Sequence, residues 1–153
     1  MKNSSFKFLI LNEISHDVIN ILISINERAK LHHWSRCAWS SEVANANSRI
    51  CLSYENNLIT GFALFNIDPF LEFGHLNKIA VDLAYRKKGV GKNLIEALCR
   101  YLNELGAMNL TLDVALANKE AIKFYKSLNF HEVHKREKFY TNGDGAFLMK
   151  RRL

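Results

Sequence analysis

Ile79-Ala80-Val81-Asp82-Leu83-Ala84-Tyr85-Arg86-Lys87-Lys88-Gly89-Val90-Gly91-Lys92 reads as a strand, a basic loop holding two glycines, and the start of a long helix. Such a junction leaves backbone N–H groups free at the positive end of a helix dipole, and together these bind phosphate. Glycine lets the backbone come close to an anion, while Arg86, Lys87, Lys88 and Lys92 place positive charge around it. Two familiar phosphate loops do not fit. A P-loop needs glycine where Arg86 stands and Ser or Thr where Asn93 stands, and the dinucleotide fingerprint needs glycine at Leu94. Read alone, the segment also suits a helix start that is merely basic.

The flanking sequence supplies the frame. Gly89 to Leu105 carries Val90, Leu94, Ile95, Leu98, Tyr101, Leu102 and Leu105 on a wide apolar stripe, closed by Gly106. Asn109 to Leu116 alternates as a strand, with Leu110, Leu112, Val114 and Leu116 on one face and Thr111, Asp113 and Ala115 on the other. Asn118 caps a helix to about Leu128, with Ala121, Tyr125 and Leu128 opposite Lys119, Lys123 and Lys126. Strands are expected over His131–Phe139 and Ala146–Lys150, around the turn Thr141-Asn142-Gly143-Asp144-Gly145. Upstream, Phe6–Leu11 reads as a strand and Ser15 caps a helix from His16 to about Lys30. A second helix is expected from Ser40 or Ser41 to about Asn47. The strands Arg49–Tyr54 and Leu58–Ile67 flank the hairpin turn Glu55-Asn56-Asn57, and another strand covers about Glu72 to Val81. Strand–helix–strand–helix–strand in the second half makes this an α/β fold with a partly parallel sheet.

Length and composition bound the alternatives. At 153 residues the whole chain, 1–153, is expected to form one domain. A hydrophobic share of 48% with 24% charged residues excludes wholesale disorder, and no internal repeat suggests a solenoid or propeller. The apolar run Val18–Ile25, broken by Asn20 and Ser24, is too short to cross a bilayer and lacks the layout of a signal peptide. The expectation is a soluble, cytoplasmic protein without membrane contact. Cys37, Cys51 and Cys99 are odd in number and far apart, which suggests buried or half-buried free thiols. The histidines show no ligand spacing, so no metal site is expected. A net charge of +6 favours an anionic partner: a nucleic acid, a phosphorylated cofactor or an anionic assembly.

Arg86-x-x-Gly89-x-Gly91, following a strand that ends Ile79-Ala80-Val81-Asp82, resembles motif A of the GNAT acetyltransferase superfamily, the loop that cradles the acetyl-CoA pyrophosphate. Downstream, Asn118-Lys119-Glu120-Ala121-Ile122-Lys123-Phe124-Tyr125-Lys126-Ser127-Leu128-Asn129-Phe130 resembles motif B, Asn-x-x-Ala-x-x-x-Tyr-x-x-x-Gly-Phe. Asn129 replaces the usual glycine, and Asn also tolerates the left-handed backbone. Within the superfamily the chain is most similar to bacterial RimI-type enzymes, which acetylate the N-terminal alanine of a small-subunit ribosomal protein. His33-Trp34-Ser35, Asn77-Lys78-Ile79-Ala80-Val81-Asp82, both motifs, and Phe139-Tyr140-Thr141 before Asp144-Gly145 carry that similarity. The N-terminal third matches only loosely.

The resemblance implies the GNAT fold: a mixed, mostly antiparallel sheet of about six or seven strands, with a parallel splayed pair at the cofactor site and about four flanking helices. It implies acetyl-CoA as cosubstrate, bound by Ile79, Ala80, Val81, Arg86, Lys87, Lys88, Gly89, Val90, Gly91, Lys92, Asn118 and Tyr125. Tyr125 takes the place of the general acid that protonates the CoA sulfur; read alone, it is a core aromatic on an amphipathic helix. Asp113 stands where RimI-type enzymes carry a glutamate base. It is one methylene shorter, so contact with the amine is expected to run through a water. Tyr140 and Asn77 are expected at the acceptor cleft, with Glu72 and His75 as further candidates. An oxyanion wants a fixed N–H donor, which the Ile79-Ala80-Val81 backbone can supply.

The acceptor expected is the N-terminal α-amine of a protein, a small-subunit ribosomal protein in particular. The alternatives are a small-molecule amine or a lysine side chain. A nucleic-acid-binding module suits the charge, but no helix-turn-helix, RRM or zinc pattern is present and the cations cluster where CoA phosphates would sit. A CoA-binding protein without catalysis is a last alternative. Trp34 and Trp39 read as core anchors of the first two helices, Cys99 as a core thiol, and Lys150-Arg151-Arg152 as a solvated end.

Overall fold

The computed structural model describes residues 6–153. Its one sheet has seven strands in the order β1-β2-β3-β4-β5-β7-β6: β1 Lys7–Leu11, β2 Ser48–Glu55, β3 Leu58–Ile67, β4 Phe73–Val81, β5 Asn109–Ala115, β6 His131–Arg136 and β7 Ala146–Arg152. Every neighbouring pair is antiparallel except β4 with β5, which is parallel. Four α-helices accompany it: α1 His16–Arg28, α2 Arg36–Ala44, α3 Val90–Glu104 and α4 Lys119–Ser127.

The central strands are buried on both faces. In β2 and β3, Cys51, Ala63 and Phe65 pack with α3 and α4, while Ile50, Leu52, Phe62 and Leu64 pack with α1 and α2. That is why these strands read as nearly continuous apolar runs rather than clean alternation. Trp39 is fully buried in the α1–α2 cluster and stacks against Trp34 and Phe62. The β2–β3 turn places Asn56 and Asn57 at φ 50° and 63°, the left-handed pair a tight hairpin requires. Asn129 adopts φ 65° at the end of α4, so it does the work of the missing glycine.

Several boundaries differ from the sequence expectation. Helix α2 begins at Arg36, not at Ser40 or Ser41, because Ser35 accepts a hydrogen bond from Ala38 N–H and caps the helix a turn earlier. Strand β6 stops at Arg136 rather than Phe139; Lys138 then turns with φ 51°. A 3₁₀ turn over Leu83–Tyr85, capped by Asp82, was not legible. Cys37 is exposed, neither buried nor half-buried. The C-terminal cations are not a loose end: Lys150 and Arg152 belong to β7, and Arg151 makes a two-pronged bond to Glu96 of α3 at 2.8 and 3.1 Å. Among the described residues, no helix is long and apolar enough to cross a membrane.

Candidate active site

Strands β4 and β5 pair only from Phe73–Leu76 with Asn109–Leu112 and then part. The cause lies on the other side of β4. Opposite Leu64 and Phe65 stand Lys78 and Leu76, so Asn77 is one residue too many and the strand bulges. Leu76 packs with α3 and α4, yet Lys78, two residues on, is buried toward α1 and α2. Beyond the bulge the hydrogen bonds decide which groups face the gap. Asp82 N–H bonds Thr60 C=O, so in the same register the pairs Phe62–Ala80 and Leu64–Lys78 exchange bonds. Ile79 and Val81 therefore turn their N–H groups away from β3 and into the wedge, whereas the Ala80 amide is spent on β3. The wedge holds a cavity of about 150 Å³ lined by Asn77, Lys78, Ile79, Asp113 and Tyr125, with Leu31 and His32 from the α1–α2 connection.

The basic loop and the start of α3 stand next to it. Gly89, at φ 81°, ends the basic loop without a side-chain cap, and α3 follows at once. The first helical bond runs from Asn93 N–H to Gly89 C=O, so the N–H groups of Gly89, Val90, Gly91 and Lys92 lack helical acceptors. These, with Lys87, Lys88 and Lys92, suit an anionic group. Arg86 has partners within the protein: its guanidinium bonds the carbonyls of Val81 and Ala29 at 3.3 and 3.4 Å and braces the loop against α1. Asn118 Oδ1 accepts from Ala121 N–H and caps α4, which leaves its amide nitrogen for a ligand.

Tyr125 is 8% exposed and wedged between Phe124 and Phe130. Burial, and then the neighbouring Tyr140, push its phenol well above the ordinary tyrosine value, so it stays protonated. Asp113 is nearly enclosed. His75 Nε2 lies 3.5 Å from one of its oxygens and Arg136 Nε 3.3 Å from the other, but the latter contact is misaligned and Oδ1 has no hydrogen-bond partner. His75 Nδ1 sits 2.8 Å from Thr111 Oγ1, whose hydroxyl donates to Gly74 C=O. Burial lowers the His75 pKa, opposed by Asp113 and helped by Arg136. Tyr140 is pushed up by burial and by Asp113.

Not every expected residue is free. Asn77 lines the cavity, but its amide nitrogen donates to Glu42 Oε1 at 3.0 Å. Glu72 precedes β4 at the end away from the wedge and is not among the cavity's residues. Sequence reasoning missed the partnership of His75 with Asp113, which alternation on two parallel strands could have suggested, and missed Lys78 and Glu42, which nothing local signals. A larger cavity of about 660 Å³, between the β1–α1 loop and the α2–β2 turn, gathers none of these groups.

A parallel pair that parts beside an uncapped helix start, with a protonated phenol and a carboxylate at the opening, defines an acetyl-CoA-dependent N-acetyltransferase. The chain belongs to the acetyltransferase (GNAT) family, whose model matches residues 15–130. Over 121 residues, 79% of this chain and 80% of the relative, it is 32% identical to the [ribosomal protein bS18]-alanine N-acetyltransferase of Escherichia coli K12. An N-alpha-acetyltransferase of Saccharolobus solfataricus is 38% identical over 81 residues, 52% of this chain and 48% of that one. The crystal structure of the Escherichia coli ribosomal-protein-S18-alanine N-acetyltransferase superposes with a TM-score of 0.82 at 27% identity, covering 95% of this chain and 94% of the other.

Proposed function

We propose that the protein acetylates the free α-amine of a protein, with the N-terminal alanine of a small-subunit ribosomal protein as acceptor, in the cytoplasm. The observation that carries this reading is the parting of β4 and β5 at Asn77, which puts Asp113, Tyr125 and Ile79 with its unpaired N–H group on one narrow cavity. The names of the relatives support the acceptor class.

Acetyl-CoA supplies a thioester open to attack by an unprotonated amine. The N–H groups of Gly89–Lys92 and the flanking lysines hold its anionic end, with the Asn118 amide toward its arm. Ile79 and Val81 N–H receive the charge that develops on the carbonyl oxygen. An α-amine has a pKa of about 7.7–8.0 against about 10.4 for lysine, so it needs only modest help from a base. Asp113 takes that proton through a water. Tyr125, protonated at every working pH, gives its proton to the departing sulfur. Tyr140 and the Asn77 side of the wedge hold the peptide end.

The test is release of free CoA with two peptides, one beginning with alanine and one blocked at its N-terminus but bearing an internal lysine. Turnover with the free-ended peptide alone, reduced by about a hundredfold or more in Tyr125→Phe, is expected. Acetyl-CoA binding with no turnover of the free-ended peptide would overturn the reading.

A further inference from the structure

Lys78 is an anomaly in its surroundings. It is 8% exposed, on the β4 face that also carries buried Ala80, against a cluster of Trp39, Phe62 and Leu64. An apolar side chain would fill such a place at lower cost than a cation. Its ammonium lies over the rings of Trp34 and Trp39, 4.6 and 5.9 Å from their centroids, and donates to a single carbonyl, that of His32, at 2.8 Å. A second buried polar side chain serves the same atom: Asn26 of α1, 2% exposed, donates its amide N–H to His32 C=O at 3.3 Å. The Asn26 Oδ1 is left with no partner. Two buried polar groups thus converge on one oxygen in the connection between α1 and α2, a stretch without helix or strand. That connection supplies Leu31 and His32 to the wall of the wedge cavity.

We infer that Lys78 is a positioning residue for the acceptor, a latch which, with Asn26, fixes the Leu31–His32 wall and thereby limits the size of the first side chain admitted. This rests on the reading that the wedge receives the acceptor amine. Burial cost explains why the latch needs a job: it pulls the Lys78 pKa down to about 8, so the residue is held there against its own solvation.

The test uses the full chain and Lys78→Met, which keeps volume and removes the donor. Hydrogen exchange at the amides of residues 31–34 is expected to quicken, with α3 and β5 unchanged. The KM for an alanine-started peptide should rise about tenfold, while that for acetyl-CoA stays within about twofold. Discrimination between alanine- and leucine-started peptides should fall by about the same factor. Thermal stability should hold or rise, which separates these effects from a damaged fold. Asn26→Leu, acting on the same carbonyl from α1, should shift the peptide KM in the same direction. Unchanged exchange would overturn the latch, and faster exchange with unchanged peptide KM and discrimination would overturn its link to the acceptor. If wild type turns over no peptide, the acceptor reading fails and the positioning role with it, whereas failure in the variants alone points to Lys78.

Discussion

The two halves of β4 do different work. From Phe73 to Leu76 the strand is paired on both sides, by β3 and by β5, and Gly74 and Leu76 pack under α3. From Lys78 to Val81 it is paired on one side only, and Asn77, Lys78 and Ile79 line a cavity. One extra residue turns a strand paired on both sides into one open on one side, where the proposed chemistry would run. The first half should answer to substitution through stability and the second through chemistry.

The sharpest break of that contrast is Asp113→Asn set against Leu110→Ala, three residues apart on β5. Asp113 lies just past the last paired residue, and its replacement keeps the shape while removing the proposed proton acceptor. The expected result is a fall in kcat of about a hundredfold or more with little change in melting temperature. Leu110 is fully buried and pairs with Gly74. Its truncation should cost about 3 kcal/mol of stability by denaturant titration and leave kcat/KM of the folded fraction unchanged. A variant at Leu110 that lost turnover without losing stability would erase the distinction.

Gly61 on β3 sharpens it further, because it braces the open half. A Cβ there would stand 2.8 Å from the Ala80 carbonyl and 3.3 Å from the Val81 Cα, and backbone cannot step aside as a side chain can. Gly61→Ala should therefore cost about 1–3 kcal/mol and also raise the KM for acetyl-CoA, since it pushes on the strand that carries the Ile79 and Val81 N–H groups. Calorimetric binding of acetyl-CoA beside a melting curve checks both parts.

The contrast also explains what could be read without a structure. The basic loop before α3, the α3 stripe, the capped α4 and the Asn56–Asn57 hairpin are local: residues close in sequence decide them, and their form shows in their spacing. Tyr125 stands out by the spacing of its motif and Asp113 by its place in the resemblance, and both line the wedge cavity. The bulge was not, since Gly74-His75-Leu76-Asn77-Lys78 alternates in burial throughout and nothing in the residue types says where alternation changes face. His75 meets Asp113 only because β4 and β5 share a parallel register, a fact held by contacts far apart in the chain. Arg86 shows the same limit: a cation in such a loop reads as a ligand, and only the fold shows that its guanidinium also bonds the carbonyls of Val81 and Ala29.

The smallest effect concerns the buried cation on the open half. Lys78 has an ordinary pKa of 10.5 in the unfolded chain and about 8 in the fold. Below the lower value both states carry the proton and the burial cost is borne in full. Between about 8 and 10.5 the unfolded chain still binds the proton while the folded one has released it, so stability rises with pH across that window. Lys78→Met lacks the titration. Its stability advantage over wild type should accordingly shrink between those pH values, by at most about 1.4 kcal/mol per pH unit. Both tryptophans of the chain stand over this ammonium, so their emission reports the same proton directly. A wild-type fluorescence step near pH 8, absent in Lys78→Met, is expected. A flat difference in stability with no such step would mean that the open half of β4 tolerates its cation as freely as a surface strand does.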